Sequence, residues 1–69
     1  MKTAVIIGLG LIGGSLGLEL KKRLNYKILG IDNNAAHLQK AIELGIIDDE
    51  TTYEAIATAE LVIVAVPVN

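Results

Sequence analysis

At 69 residues the chain is one domain at most, and a domain of that size buries only about 60% of the surface its unfolded form exposes. The absence of cysteine excludes a disulfide framework, a thiolate nucleophile and a Cys-based zinc site, and fits a reducing cytoplasm. A net charge of −2, with Lys21-Lys22-Arg23 as the single basic cluster, argues against nucleic acid or an anionic membrane as partner.

The start, Met1-Lys2-Thr3, lacks the small-residue cleavage site of a signal peptide and runs into an apolar stretch, Thr3-Ala4-Val5-Ile6-Ile7, read as the first strand. A glycine-rich turn follows, Gly8-Leu9-Gly10-Leu11-Ile12-Gly13-Gly14-Ser15-Leu16-Gly17. Gly8 lets the chain leave the strand through a tight turn, and Gly10 has no side chain to keep backbone away from a pyrophosphate. Gly13 and Gly17 give the next helix a bare face against the sheet. That helix is expected over residues 11–24, with Ile12, Leu16, Leu20 and Leu24 as its buried stripe and Asn25 as its stop. Lys21, Lys22 and Arg23 fall in its last turn, where cations oppose the negative dipole end.

Tyr26 to Ile31 reads as a second strand, ending at Asp32. A second helix starts at Asn33 or Asn34, either of which can cap it, buries Leu38, Ala41 and Ile42, and stops at Gly45. A very short third strand is expected around Glu50 to Thr52. Thr51-Thr52-Tyr53-Glu54 then matches a capping box, which places a short helix from Tyr53 to Thr58. The run Leu61-Val62-Ile63-Val64-Ala65-Val66 is the clearest strand of all, stopped by Pro67. The composition, 52% hydrophobic but only 3% aromatic, suits such strands buried on both faces of a parallel sheet.

The alternation implies an α/β fold: the amino-terminal half of a Rossmann-type doubly wound parallel sheet, with about four strands in the order 3-2-1-4. Ligands of such sheets bind at the carboxyl ends of the strands, where the winding reverses. Gly8 to Gly13 lies at one such end, Asp32 and Asn33 at a second, and Ala65-Val66-Pro67 at a third. N–H groups of Leu11, Ile12 and Gly13 at the helix start point at phosphates, with the positive dipole end behind them. Asp32, about 20 residues past Gly13, accepts hydrogen bonds from an adenosine ribose diol; with no arginine after it to offset a 2′-phosphate, NAD is favoured over NADP. The cofactor-binding residues are therefore Gly8, Gly10, Leu11, Ile12, Gly13, Asp32, Asn33, Ala65, Val66 and Pro67.

Other polar residues carry weaker readings. His37 falls on the polar side of the second helix and reads as a solvated surface histidine, away from the strand ends. Asp48-Asp49-Glu50 reads as exposed charge without metal-ligand spacing, and the Ser15 hydroxyl reads as bonding to nearby backbone or to a phosphate rather than acting as a nucleophile.

Taken together, Gly8 through Leu16, Gly30-Ile31-Asp32 with Asn34, Leu44-Gly45-Ile46-Ile47-Asp48, and Leu61 through Val68 resemble the amino-terminal part of a prephenate or arogenate dehydrogenase. The resemblance implies NAD-dependent oxidative decarboxylation of prephenate to 4-hydroxyphenylpyruvate in tyrosine biosynthesis, or of arogenate to tyrosine. It also implies that Val66 and Pro67 line the nicotinamide side. In that family the histidine taking the substrate hydroxyl's proton, the arginines holding its carboxylates and a helical dimerisation domain come later than Asn69. No residue here maps to them, so no catalytic and no metal-binding residue is assigned. The expectation is a cofactor-holding part without turnover by itself, homodimeric when full length, whose last strand forms an apolar edge open to self-association. An NAD-sensing regulatory module without hydride transfer is the alternative from a different functional class.

Overall fold

The computed structural model describes residues 2–65, with the side chains of residues 11–14 left out of the account. Strand β1 (Thr3–Ile7) leads into helix α1 (Leu11–Leu24), β2 (Lys27–Ile31), helix α2 (Ala35–Glu43), the short β3 (Asp49–Glu50), a 3₁₀ helix (Tyr53–Thr58) and β4 (Leu61–Val64). All pairings are parallel and the sheet order is β3-β2-β1-β4, the order expected for the first half of a doubly wound Rossmann-type fold.

Register decides where the functional edge lies. Ile7 is paired with Ile31 on one side and Val64 on the other, so β1, β2 and β4 end in line. The residues that follow, Gly8, Asp32 and Ala65, form a row across the carboxyl edge. Backbone bonds extend the pairing past the strands: Gly8 N–H donates to Ile31 O and Ala65 N–H to Ile7 O, both at 2.8 Å.

One face of the sheet holds the core. Ala4 and Ile6 of β1 and Ile28 of β2 alternate onto it with Ala41 of α2 and Ile47, and Leu20, Leu38, Ile46, Leu61 and Ile63 close around them. α1 approaches this face through Gly17, where an added Cβ would stand 2.8 Å from Ile6 Cδ1. The close approach rotates the helix away from the expected stripe. Leu20 is half-buried, but Leu16 and Leu24 remain 41% and 60% exposed. Ile42, expected to be buried, is 37% exposed, since α2 turns Ala41 and Leu38 toward the core instead.

Both helices end as their sequences suggest. Asn25 takes the left-handed conformation after α1 (φ 54°), and Gly45 does so after α2 (φ 73°). Asn34 rather than Asn33 caps α2, its side chain accepting from the Ala36 and His37 N–H groups. Elsewhere the expectations need correction. β2 begins at Lys27 instead of Tyr26, and β3 lies at Asp49–Glu50, earlier than Glu50 to Thr52. The capping box does not form: Thr51 N–H is drawn to Gly30 O at 2.9 Å, and Thr52 becomes the N-cap without a side-chain bond. The six residues that follow wind as two turns of 3₁₀. β4 is assigned through Val64, and its expected last residue, Val66, lies outside the described residues.

The acidic run is not simply solvated. Asp48 Oδ2 accepts from Ile28 N–H at 2.8 Å while Asp48 N–H donates to Ile28 O at 2.7 Å, and Asp48 Oδ1 pairs with Lys21 Nζ at 2.6 Å. One side chain thus ties α1, β2 and the approach to β3 together. The Lys21 hydrogen bond holds its carboxyl below the usual aspartate range against the opposing effect of burial, with the Ile28 N–H assisting. Glu60 is lowered too, by accepting from Thr3 N–H. A carboxyl lowered by folding contributes stability above its unfolded value, near pH 4, and loses it as pH falls through the lower folded value. The denaturant midpoint is therefore expected to stay level through neutral pH and to fall below about pH 4. Asp48→Asn should lower the midpoint at pH 7 and flatten that acid limb; an unchanged limb in this variant would show that Asp48 contributes nothing to it.

Candidate functional site

The row formed by Gly8, Asp32 and Ala65 borders a cleft of about 360 Å³ at the carboxyl edge of the sheet. Its walls include Gly8, Gly10, Asp32, Asn33 and Ala65, which the sequence assigns to the site, together with Ile7, Ile31, His37 and Tyr53, which it does not. Leu11, Ile12 and Gly13 form the first turn of α1 beside it. Val66 and Pro67 lie outside the described residues.

Gly8 leaves β1 with φ 95°, in the left-handed region that a side chain disfavours, and this bend turns the chain into the cleft. Gly10 is the N-cap of α1 in an extended conformation, and a Cβ built on it would have nothing within 4 Å. The space in front of the helix start is therefore open, and the N-cap has no side chain with which to occupy the first N–H groups. Those N–H groups have no intrahelical partner, and the positive end of the helix dipole lies at them.

Asp32 joins the turn to the second strand. Its Oδ2 accepts from Leu9 N–H at 2.7 Å, and its Oδ1 accepts from Asn34 N–H at 2.8 Å. The carboxylate is only 12% exposed. Burial pushes its pKa up, but the N–H groups of Asn34 and Leu9 and the nearby His37 side chain outweigh it, and the net displacement is downward. Asp32 is a carboxylate at neutral pH, fixed in direction by backbone on both sides.

The largest departure from expectation is His37. Its side chain is 50% exposed, as expected of a solvated histidine, but it is not away from the strand ends: its Nδ1 stands 3.3 Å from Asp32 Oδ2, and its ring lines the cleft. The cause is local. Only Asn33 and Asn34 separate Asp32 from α2, and side chains in the first turn of a helix lean back toward its N-terminus. A histidine three residues past a capping asparagine was the signal available in the sequence. A second cleft of about 320 Å³ opens on the other side of His37, between Leu9, Gly10 and Ser15 at the start of α1 and Lys40, Ala41 and Leu44 of α2.

An open helix start, a backbone-held carboxylate one strand away and a cleft joining them suit a phosphate-bearing ligand with a diol. The sequence pattern of the family described as "Prephenate dehydrogenase, nucleotide-binding domain" matches residues 16–69. The chain belongs to the prephenate dehydrogenase family. The match begins after Ser15, so the glycine turn is an observation independent of it. The prephenate dehydrogenase of Bacillus subtilis (strain 168) is 42% identical over 70 residues, covering 97% of this chain and 19% of that protein. That of Lactococcus lactis subsp. cremoris (strain MG1363) is 39% identical over 71 residues, covering 100% of this chain and 20% of that protein. The chain thus spans about a fifth of the length of these prephenate dehydrogenases. Among solved structures, A. aeolicus prephenate dehydrogenase in complex with hydroxyphenyl propionate and NAD+ superposes with a TM-score of 0.83 at 34% identity, covering 97% of this chain and 25% of that one. Synechocystis arogenate dehydrogenase superposes with a TM-score of 0.84 at 27% identity, covering 94% and 23% respectively.

Proposed function

We propose that this chain forms the NAD-holding part of a prephenate dehydrogenase, an enzyme of tyrosine biosynthesis that decarboxylates prephenate oxidatively to 4-hydroxyphenylpyruvate. The observation that carries the proposal is the bond between Asp32 Oδ2 and Leu9 N–H, which locks the acid to the glycine turn at one cleft. The residues fit a dinucleotide. The open space before Gly10 admits a pyrophosphate against the N–H groups of Leu11, Ile12 and Gly13, and Asp32 lies at the adjacent strand end to accept from the adenosine ribose. Asn33 and Ala65 flank the same cleft, and the family resemblance assigns Val66 and Pro67 to the nicotinamide side.

NAD, when bound, supplies the hydride acceptor for the oxidation. The contribution of this chain is to bind and orient. The α1 start neutralises phosphate charge without a basic side chain, which leaves Asp32 free to reject a second negative group at the ribose 2′ position. No group on this chain is assigned to substrate proton transfer.

Calorimetric titration with NAD and with NADP tests the proposal. NAD is expected to bind more tightly, and Asp32→Asn to erase most of the preference by removing the negative charge that opposes a 2′-phosphate. A preference for NAD that survives in Asp32→Asn would place its origin elsewhere.

A further inference from the structure

The Asp32 carboxylate carries one more claim than an acid waiting for a ribose needs. A carboxylate offers about four acceptor positions, two on each oxygen. Oδ1 accepts from Asn34 N–H, while Oδ2 accepts from Leu9 N–H and also faces His37 Nδ1. Since Oδ2 is only an acceptor, Nδ1 is the ring nitrogen that carries the hydrogen. Oδ2 is then full and Oδ1 keeps one position, whereas a ribose diol brings two hydroxyl donors. Leu9 and Asn34 donate from backbone fixed by the turn and by the α2 cap, so neither can yield. His37 can: its side chain is 50% exposed, and open cleft lies on both sides of its ring.

We infer that His37 is a specificity-determining residue that occupies, in the free protein, the Asp32 acceptor position a ribose hydroxyl takes on binding, so that its protonation opposes NAD and favours a dinucleotide bearing a 2′-phosphate. The inference rests on the reading of Asp32 as the ribose-holding acid. A neutral imidazole gives up the carboxylate readily. An imidazolium forms a charge-assisted pair roughly twice as strong, which the ribose must break. Once displaced, the same positive charge lies beside the 2′ position and offsets the repulsion that Asp32 exerts on a phosphate there. The charged or titratable groups sharing the two clefts with His37 are Asp32 at the end of β2, Lys40 further along α2 and Tyr53 of the 3₁₀ helix. Of these groups the imidazole is the one whose ordinary range falls between pH 5 and 8, and the 2′-phosphate of NADP changes charge in that range as well.

The test is calorimetric titration of the parent, His37→Ala and His37→Gln with NAD and NADP at two values, about pH 5.5 and about pH 8, which bracket the histidine range. The parent is expected to bind NAD about fivefold more weakly at the acidic value, and its preference for NAD over NADP to fall there by more than that of His37→Ala, in which the 2′-phosphate titrates alike. His37→Ala should bind NAD at least as tightly as the parent at the alkaline value and show no acid weakening. His37→Gln, a neutral donor, should also lose the pH dependence. The inference is overturned if His37→Ala keeps the parent's pH profile, or if it binds NAD more weakly at the alkaline value, since His37 would then support the bound ligand. Failure of all three proteins to bind NAD at either pH would overturn the reading of Asp32 as well.

Discussion

Gly10→Val is expected to weaken NAD binding by about a hundredfold or more, corresponding to the loss of about two charge-assisted hydrogen bonds to phosphate. The fold should survive. Gly10 has φ −69° and ψ −171°, an extended conformation open to any residue, and an added Cβ meets no atom within 4 Å. The structural cost is that of a poor N-cap residue, about 1 kcal/mol at most, or a drop in Tm of about 4–8 °C for a domain of this size. The emptiness in front of Gly10 therefore has no packing role, and the proposal gives it a binding one. Calorimetry with NAD beside a thermal melt separates the two. Parent-like affinity in a folded Gly10→Val protein would remove the phosphate assignment from the α1 start.

Ile6→Ala is expected to have the opposite profile, a large loss of stability at a position remote from the ligand. Ile6, the fourth residue of β1, is fully buried, and its Cδ1 fills the hollow left by Gly17 of α1. Removing three carbons leaves a void between strand and helix that neither can close, since the strand is held by partners on both sides. The cost is about 2–5 kcal/mol. A domain of this length has a total stability of only about 3–10 kcal/mol, so the variant should lose a large part of its denaturant midpoint or unfold outright. Leu24→Ala, at an exposed α1 position, is the control and should change stability by about 0.5 kcal/mol or less. An Ile6→Ala protein as stable as that control would contradict the core described for β1 and α1.

The architecture was legible because its signals are local: apolar strands of the right length, a glycine turn, and asparagines and glycines at helix ends. Strand order followed from the alternation alone, and the in-line ends of β1, β2 and β4 bring Gly8, Asp32 and Ala65 together as that order requires. What escaped was set by packing between elements. The bare face at Gly17 was legible and does meet Ile6, but a four-residue period also assigned burial to Leu16 and Leu24, which the close approach leaves exposed. Asp48 sits in an acidic run, and its neighbours hid the fact that its carboxylate replaces a strand partner for Ile28. His37 does face solvent as a polar helix position suggests, but the short Asn33-Asn34 link also brings it to Asp32, which hydropathy does not reveal. In each case the deciding contact lies many residues away or across a tight turn, where hydropathy patterns carry no information.

The central claim is that the cleft at Gly8, Gly10 and Asp32 holds a dinucleotide and selects against a 2′-phosphate. Parallel calorimetric titrations of the chain with NAD and NADP at neutral pH test it most directly. The account predicts one NAD bound per chain, about tenfold or more tighter than NADP, the scale of a single unfavourable charge contact in a partly buried site. NADP binding as tightly as NAD, or more tightly, would contradict it.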